Sequence, residues 1–167
     1  FDHAGGNTTR TADGRLAPTF PNARYVVQGG EYGYATHTNE RTAASYFPDN
    51  YVPLHEAGRL DLVDGEREIV AGIRVLSTPG HTPHHQSILL EGGDGPALYV
   101  GDLVPTRHHV PLPWIMGYDV EPLVTLESKR RLLAEAVEKD WLVVFEHDAA
   151  TGWGRVTHDG RGYALRA

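Results

Sequence analysis

The spacing of apolar and polar positions changes several times along this chain, and the changes mark out its elements. Arg24-Tyr25-Val26-Val27 predicts a short strand, and Glu31 to Ser45 follows as a helix with Glu40 and Arg41 turned outward. Between Phe47 and Leu54 two prolines and an asparagine predict an irregular connection. From Leu60 the texture becomes β-rich. Leu60 to Val63, Glu68 to Val70 and Ile73 to Leu76, broken by Asp64-Gly65 and Ala71-Gly72, predict a meander. Ser87 to Leu90 and Ala97 to Val100 flank Glu91-Gly92-Gly93-Asp94-Gly95 as a hairpin.

The strongest helical pattern runs from Asp119 to Lys139. Asp119 reads as its N-cap, Leu123, Leu126, Leu133 and Val137 recur at helical spacing, and Glu127 with Arg131 and Glu135 with Lys139 form i,i+4 pairs. Trp141 to Phe145 reads as a buried strand. Trp153 to Thr157 and Gly162 to Leu165 close the chain as a hairpin around Asp159-Gly160. Asp2 to Gly14 is small and polar and reads as a loop. Periodicity alone gives a mixed α/β (α+β) class, with no internal repeat.

Composition narrows what such a fold can do. A chain of 167 residues, 40% hydrophobic and 22% charged, reads as one globular domain over residues 1–167. A formal net charge of -7 argues against a nucleic-acid partner, since gripping a phosphate backbone takes clustered cations. The compact basic run Lys129-Arg130-Arg131 lies among Glu127 and Glu135 in the helix and reads as a solvated face. No stretch approaches the roughly 20 apolar residues of a membrane span. With no cysteine, disulfides, thiol nucleophiles and thiolate metal sites are excluded, so any metal must sit on imidazole and carboxylate. The chain opens on Phe1 with no signal segment in view, so a cytoplasmic location is expected unless an export signal lies upstream.

Four contexts carry candidate chemistry: Asp2-His3-Ala4-Gly5-Gly6-Asn7, Thr78-Pro79-Gly80-His81-Thr82-Pro83, Gly101-Asp102 and Phe145-Glu146-His147-Asp148. Divalent metal held without sulfur needs neutral imidazoles and carboxylates, and a hydrolytic site keeps a position for water. His3, His81, Asp102 and His147 offer that set. Asp2-His3 alone says little, because the dipeptide is common; its weight comes from the residues that follow.

In this order the motifs resemble the metallo-β-lactamase superfamily of binuclear metallohydrolases, whose signature opens H-x-H-x-D-H. Only the closing D-H is present here. The resemblance implies an αββα sandwich, mainly its C-terminal half, in an N-terminally truncated chain. It gives Asp2, His3 and His147 to one metal, His81 to the other, and Asp102 to both. It further implies two divalent ions, zinc first, with iron, manganese and cobalt compatible with the same donors. On the same resemblance a hydroxide shared by the ions would be the nucleophile, and Asp2 would be the catalytic group that orients it and passes its proton to the leaving group. His85 and Asp148 are expected to hold the ligands in place by hydrogen bonds. His84 stands where the family usually has glycine. His108 and His109 are expected to be exposed or pocket-lining, and His37, His55 and His158 to be surface residues.

The closest texture is that of the N-acyl homoserine lactonase and methyl parathion hydrolase groups, carried by Phe20-Pro21-Asn22-Ala23, Val26-Val27-Gln28, Glu31-Tyr32 and His85-Gln86-Ser87. It implies a hydrolase opening a lactone or other ester, a small-molecule substrate, and a pocket drawing on Phe20, Tyr34, Trp114, Met116 and Tyr118. Pro105 stands where lactonases commonly place a carbonyl-polarising tyrosine. A phosphotriesterase and a non-catalytic fragment with an incomplete metal site are therefore the alternatives. Loss of the N-terminal half is expected to bare strand edges and an apolar face, which favours a homodimer.

Overall fold

Short strands dominate the computed structural model, which describes residues 2–166, the Asp2 side chain excepted. They fall into two units, Phe1–Asp64 and Gly65–Ala167. Among the described residues no helix is long and apolar enough to cross a membrane.

In the first unit a 3-10 turn, Asp2–Ala4, precedes β1 (Thr8–Arg10), which pairs antiparallel with β2 (Leu16–Pro18). The segment predicted as a loop is thus a hairpin. It turns at Gly14, whose φ of 81° suits a residue without a Cβ. Next come β3 (Tyr25–Gln28), α1 (Gly29–Ala35), α2 (Val52–Glu56) and β4 (Leu60–Val63). β3 and β4 pair in parallel, Tyr25 opposite Leu60, which corrects the placing of Leu60–Val63 in a meander. Parallel pairing needs a long crossover, and the helical stretch between the two strands supplies it.

The helix predicted to Ser45 stops at Ala35. The Thr36 hydroxyl donates back to the carbonyls of Tyr32 and Gly33, and the Asn39 side chain accepts from the backbone amides of Arg41 and Thr42. Such local bonds compete with the helical ladder. The unit's aromatic core joins Ala35, Tyr46 and Tyr51 with half-buried Tyr32 and Tyr34. Within it the Tyr46 hydroxyl donates to buried Glu31 at 2.8 Å, which compensates the burial of a carboxylate.

The second unit contains β5 (Arg67–Val70), β6 (Ile73–Ser77), β7 (Gln86–Leu90), β8 (Ala97–Tyr99), α3 (Pro122–Glu138), β9 (Leu142–Val144), β10 (Trp153–His158) and β11 (Tyr163–Leu165). They form one sheet in the order β11-β10-β9-β8-β7-β6-β5. Every neighbouring pair is antiparallel except β8 and β9, which α3 connects as a crossover. Leu89, Leu98, Val143 and Val156 on the sheet meet Leu132, Leu133 and Ala136 on α3 in the main core. All seven are buried, so α3 covers one sheet face as an amphipathic helix must.

Two expectations about α3 change. It starts at Pro122 rather than Asp119, with Glu121 in the cap position and no side-chain cap bond. Proline fits the first helical turn because its missing N–H has no partner there in any case. The buried stripe is Thr125, Ser128, Lys129, Leu132, Leu133 and Ala136, which of the predicted leucines and valine includes Leu133 alone, and Leu123 is 77% exposed. Lys129 is therefore interior, not part of a solvated basic face. Its ammonium donates to the carbonyls of Pro111, Leu112 and Trp114 at 3.0, 3.3 and 2.9 Å, which offsets the cost of burying a charge. Glu135 pairs with Lys139 as expected, whereas Glu127 pairs with Arg130, and Arg131 reaches Glu66.

Candidate metal centre

The turn carrying His81 is built by close approach. Gly80 has φ 137°, and a Cβ there would stand 2.3 Å from the Thr125 amide nitrogen and from its hydroxyl. Only glycine lets the first turns of α3 come so near. The Ser128 hydroxyl donates to the Pro79 carbonyl at 2.7 Å, and the amides of Val120 and Glu121 donate to the carbonyls of His81 and Gly80 at 3.1 and 2.9 Å.

Asp102 lies just past β8 in the 3-10 turn Gly101–Leu103 and is buried. Gly101 has φ 55°, and a Cβ there would meet His85 Nε2 at 2.9 Å. His147 follows β9 in a loop whose backbone amide donates to the Pro105 carbonyl at 2.9 Å. Strand ends and tight turns of one rigid sheet thus deliver all three groups.

Their side chains converge on the Asp102 carboxylate. His81 Nε2 is 3.2 Å from Oδ2 and His147 Nε2 is 3.1 Å from Oδ1. On its other side His81 Nδ1 is 3.0 Å from Asp119 Oδ1, and that carboxylate is also buried. A neutral imidazole whose Nδ1–H donates to Asp119 would turn its Nε2 lone pair toward Asp102, where a metal ion would take it up; with no ion bound, a second ring proton would serve the same contact. A carboxylate behind a ligating histidine is a common metal-site arrangement. The donor set thus fits divalent metal: neutral imidazole, carboxylate, and a half-exposed His147 at 51% on the solvent side.

His85 takes a different part. Its Nε2 accepts from the Asp102 amide at 3.2 Å, which places its proton on Nδ1 toward the hydroxyl and carbonyl of Thr78 at 2.8 and 3.1 Å. It holds the backbone that carries Asp102. Asp148 is an anchor of loops. Its Oδ2 accepts from the Arg107 amide at 2.9 Å, and its Oδ1 accepts from the amides of Ala150 and Thr151 at 3.0 and 2.8 Å. These donors, Arg107 first, hold its carboxyl below the ordinary value of 3.8. A depressed pKa contributes stability that is present above 3.8 and lost as pH falls through the lower folded value. The Asp148→Ala variant is accordingly less stable than the parent in urea at pH 7, and the gap closes below about pH 3.8. A gap unchanged between pH 7 and pH 3 would count against this role.

Of the other predicted residues, the Asp2 side chain lies outside the described residues. His3 is exposed in the first unit, as is Phe20, and Tyr34 packs against Tyr46 there. In the second unit Trp114 and Tyr118 are exposed, Met116 is half-buried, and His84 and His108 are exposed. His109 bonds Thr106 through Nδ1 at 2.8 Å, and burial lowers its pKa. Sequence reasoning missed Asp119 and Lys129. Pro122 was the available signal, because a proline in the first turn places the helix start after Asp119. Burial pulls the Lys129 ammonium down to about 8, with Asp119 acting in the opposite direction.

Comparison with known proteins bears on this arrangement. The model of the Metallo-beta-lactamase superfamily matches residues 1–147. An N-acyl homoserine lactonase from Bacillus sp is 34% identical over 152 residues, 89% of this chain and 52% of that protein. The crystal structure of a "probable metal-dependent hydrolase" from Staphylococcus aureus aligns with a TM-score of 0.84 at 28% identity, covering 99% of this chain and 59% of its own. An N-acyl homoserine lactone hydrolase, with the product N-hexanoyl-L-homoserine at its catalytic metal center, aligns with a TM-score of 0.64 at 28% identity over 78% of this chain and 49% of its own. The chain spans about half the length of the curated relatives it matches.

Proposed function

The chain belongs to the metallo-β-lactamase superfamily and has its fold, and from that premise we propose that it holds divalent metal in a hydrolase that opens a lactone or another carboxylic ester. One observation carries the reading: both oxygens of a buried carboxylate, Asp102, each face the Nε2 of a different histidine. A carboxylate so placed suits sharing between two ions, His81 on one side and His147 on the other. For Asp2 and His3 a ligand role rests on the family motif alone. Zinc suits these nitrogen and oxygen donors best within the superfamily, and iron, manganese or cobalt fit the same ligands.

Bound there, the metal supplies an acidified water as nucleophile and Lewis acidity toward the ester carbonyl. The chain's own residues supply the frame. Asp119 fixes the His81 ring, His85 fixes the Asp102 backbone, and the exposed edge of His147 leaves the site open to a small molecule. Preference for a lactone is supported by the lactonase relative from Bacillus sp and by the solved hydrolase with an acyl-homoserine product at its metal center.

The test is a screen of zinc-loaded protein against lactones, aryl esters and phosphotriesters beside a His81→Ala control. Turnover is expected on lactones first and lost in the control. Turnover confined to phosphotriesters would replace the substrate class, and none above the control on any class would overturn the hydrolase reading.

A further inference from the structure

Lys129 is fully buried on α3, about two turns from the helix start, and all three of its donors are spent on one segment of chain, the carbonyls of Pro111, Leu112 and Trp114. A well-packed apolar side chain of similar length often serves stability as well as a buried charge, so the cation calls for another explanation. The segment it grips leads directly to Asp119. The Asp119 amide donates to the Met116 carbonyl at 3.1 Å, and the next two amides donate to the carbonyls of His81 and Gly80. The stretch from residue 111 to residue 121 is thus pinned by Lys129 at one end and stitched to the His81 turn at the other. Between them the Asp119 carboxylate meets His81 Nδ1 at 3.0 Å.

We infer that Lys129 is a positioning residue for His81: by fixing the segment that carries Asp119, it holds that carboxylate against His81 Nδ1 and so sets the orientation of the ring. The consequence for metal binding rests on the proposed role of His81 as a ligand, whereas the contact with Asp119 does not. Two readouts keep these apart. Nitrogen-resolved NMR of the imidazoles in the metal-free protein reports the Nδ1–H bonded to Asp119, and chelator competition reports zinc affinity.

In the parent protein the His81 Nδ1 proton is expected to be held in one well-defined hydrogen bond to Asp119. The Lys129→Met variant is expected to weaken that bond and to bind zinc about 10- to 100-fold more weakly, the range found when partners behind a metal ligand are lost. Lys139→Met, exposed just past the end of the same helix, changes neither. Because Lys129 acts through Asp119, adding Lys129→Met to Asp119→Asn costs less than about a further twofold, a coupling that independent sites do not show. A folded Lys129→Met protein with the parent's Nδ1–H signal and zinc affinity overturns the inference, as does a full tenfold loss added in the Asp119→Asn background. Should Lys129→Met not fold, Lys129→Gln keeps two donors and is expected to give intermediate values; parental values there overturn the inference equally. A parent protein with the expected Nδ1–H bond to Asp119 that binds no zinc defeats the proposed function and leaves the positioning role standing.

Discussion

Replacing Asp102 with asparagine is expected to lower the proposed hydrolysis by more than about a hundredfold and to empty the proposed metal centre while leaving the protein folded. The size follows from position: partners behind a ligand typically carry ten- to hundredfold effects, and Asp102 lies between both imidazoles. Asparagine keeps the volume and one carbonyl oxygen but loses the negative charge. Its amide hydrogens can donate to a neutral imidazole Nε2, so the variant can still hydrogen-bond one of the two rings without a metal. The metal-free variant is therefore expected to fold and to unfold cooperatively, as the metal-free parent does. A fall in activity accompanied by an equal fall in metal-free stability would point to misfolding instead.

The second large effect is structural. Gly80→Ala is expected to cost about 3–5 kcal/mol, combining an unfavourable backbone conformation with overpacking against α3. Relief is not available from a flexible neighbour, because the nearest atoms to the added Cβ include the Thr125 backbone nitrogen and Cα, at 2.3 and 2.4 Å. Urea denaturation reads the loss directly. Gly6→Ala is the matched control: nothing lies within 4 Å of a Cβ there, so its effect stays within about 0.5 kcal/mol. Equal stability of the two variants would contradict the packing described for the His81 turn.

What the sequence disclosed was local. The hairpin of β7 and β8 was legible because Glu91 to Gly95 is a turn by composition alone, and the pairing it predicts is between neighbours. The parallel pairing of β3 with β4 was not, since nothing in either strand records a partner more than thirty residues away. The same division runs through the site. His81 and Asp102 sit beside glycines whose conformations their turns require, and those glycines mark them in the sequence. Asp119 has no such mark. Its role comes from a contact with a residue 38 positions earlier, and read locally it resembles a helix cap. Lys129 was misread for a related reason: the first cation of a run of three looks solvated, and its place on the buried stripe shows only once the helix is packed. Charge and periodicity describe an element, whereas burial depends on what packs against it.

Metal content tests the proposed centre most directly. After exhaustive dialysis of zinc-loaded protein, elemental analysis is predicted to find at least about one equivalent retained per chain, and Asp102→Asn is predicted to lose it. A folded parent protein that retains no metal, or an Asp102→Asn variant that retains as much as the parent, would contradict the assignment of His81, Asp102 and His147 as its ligands.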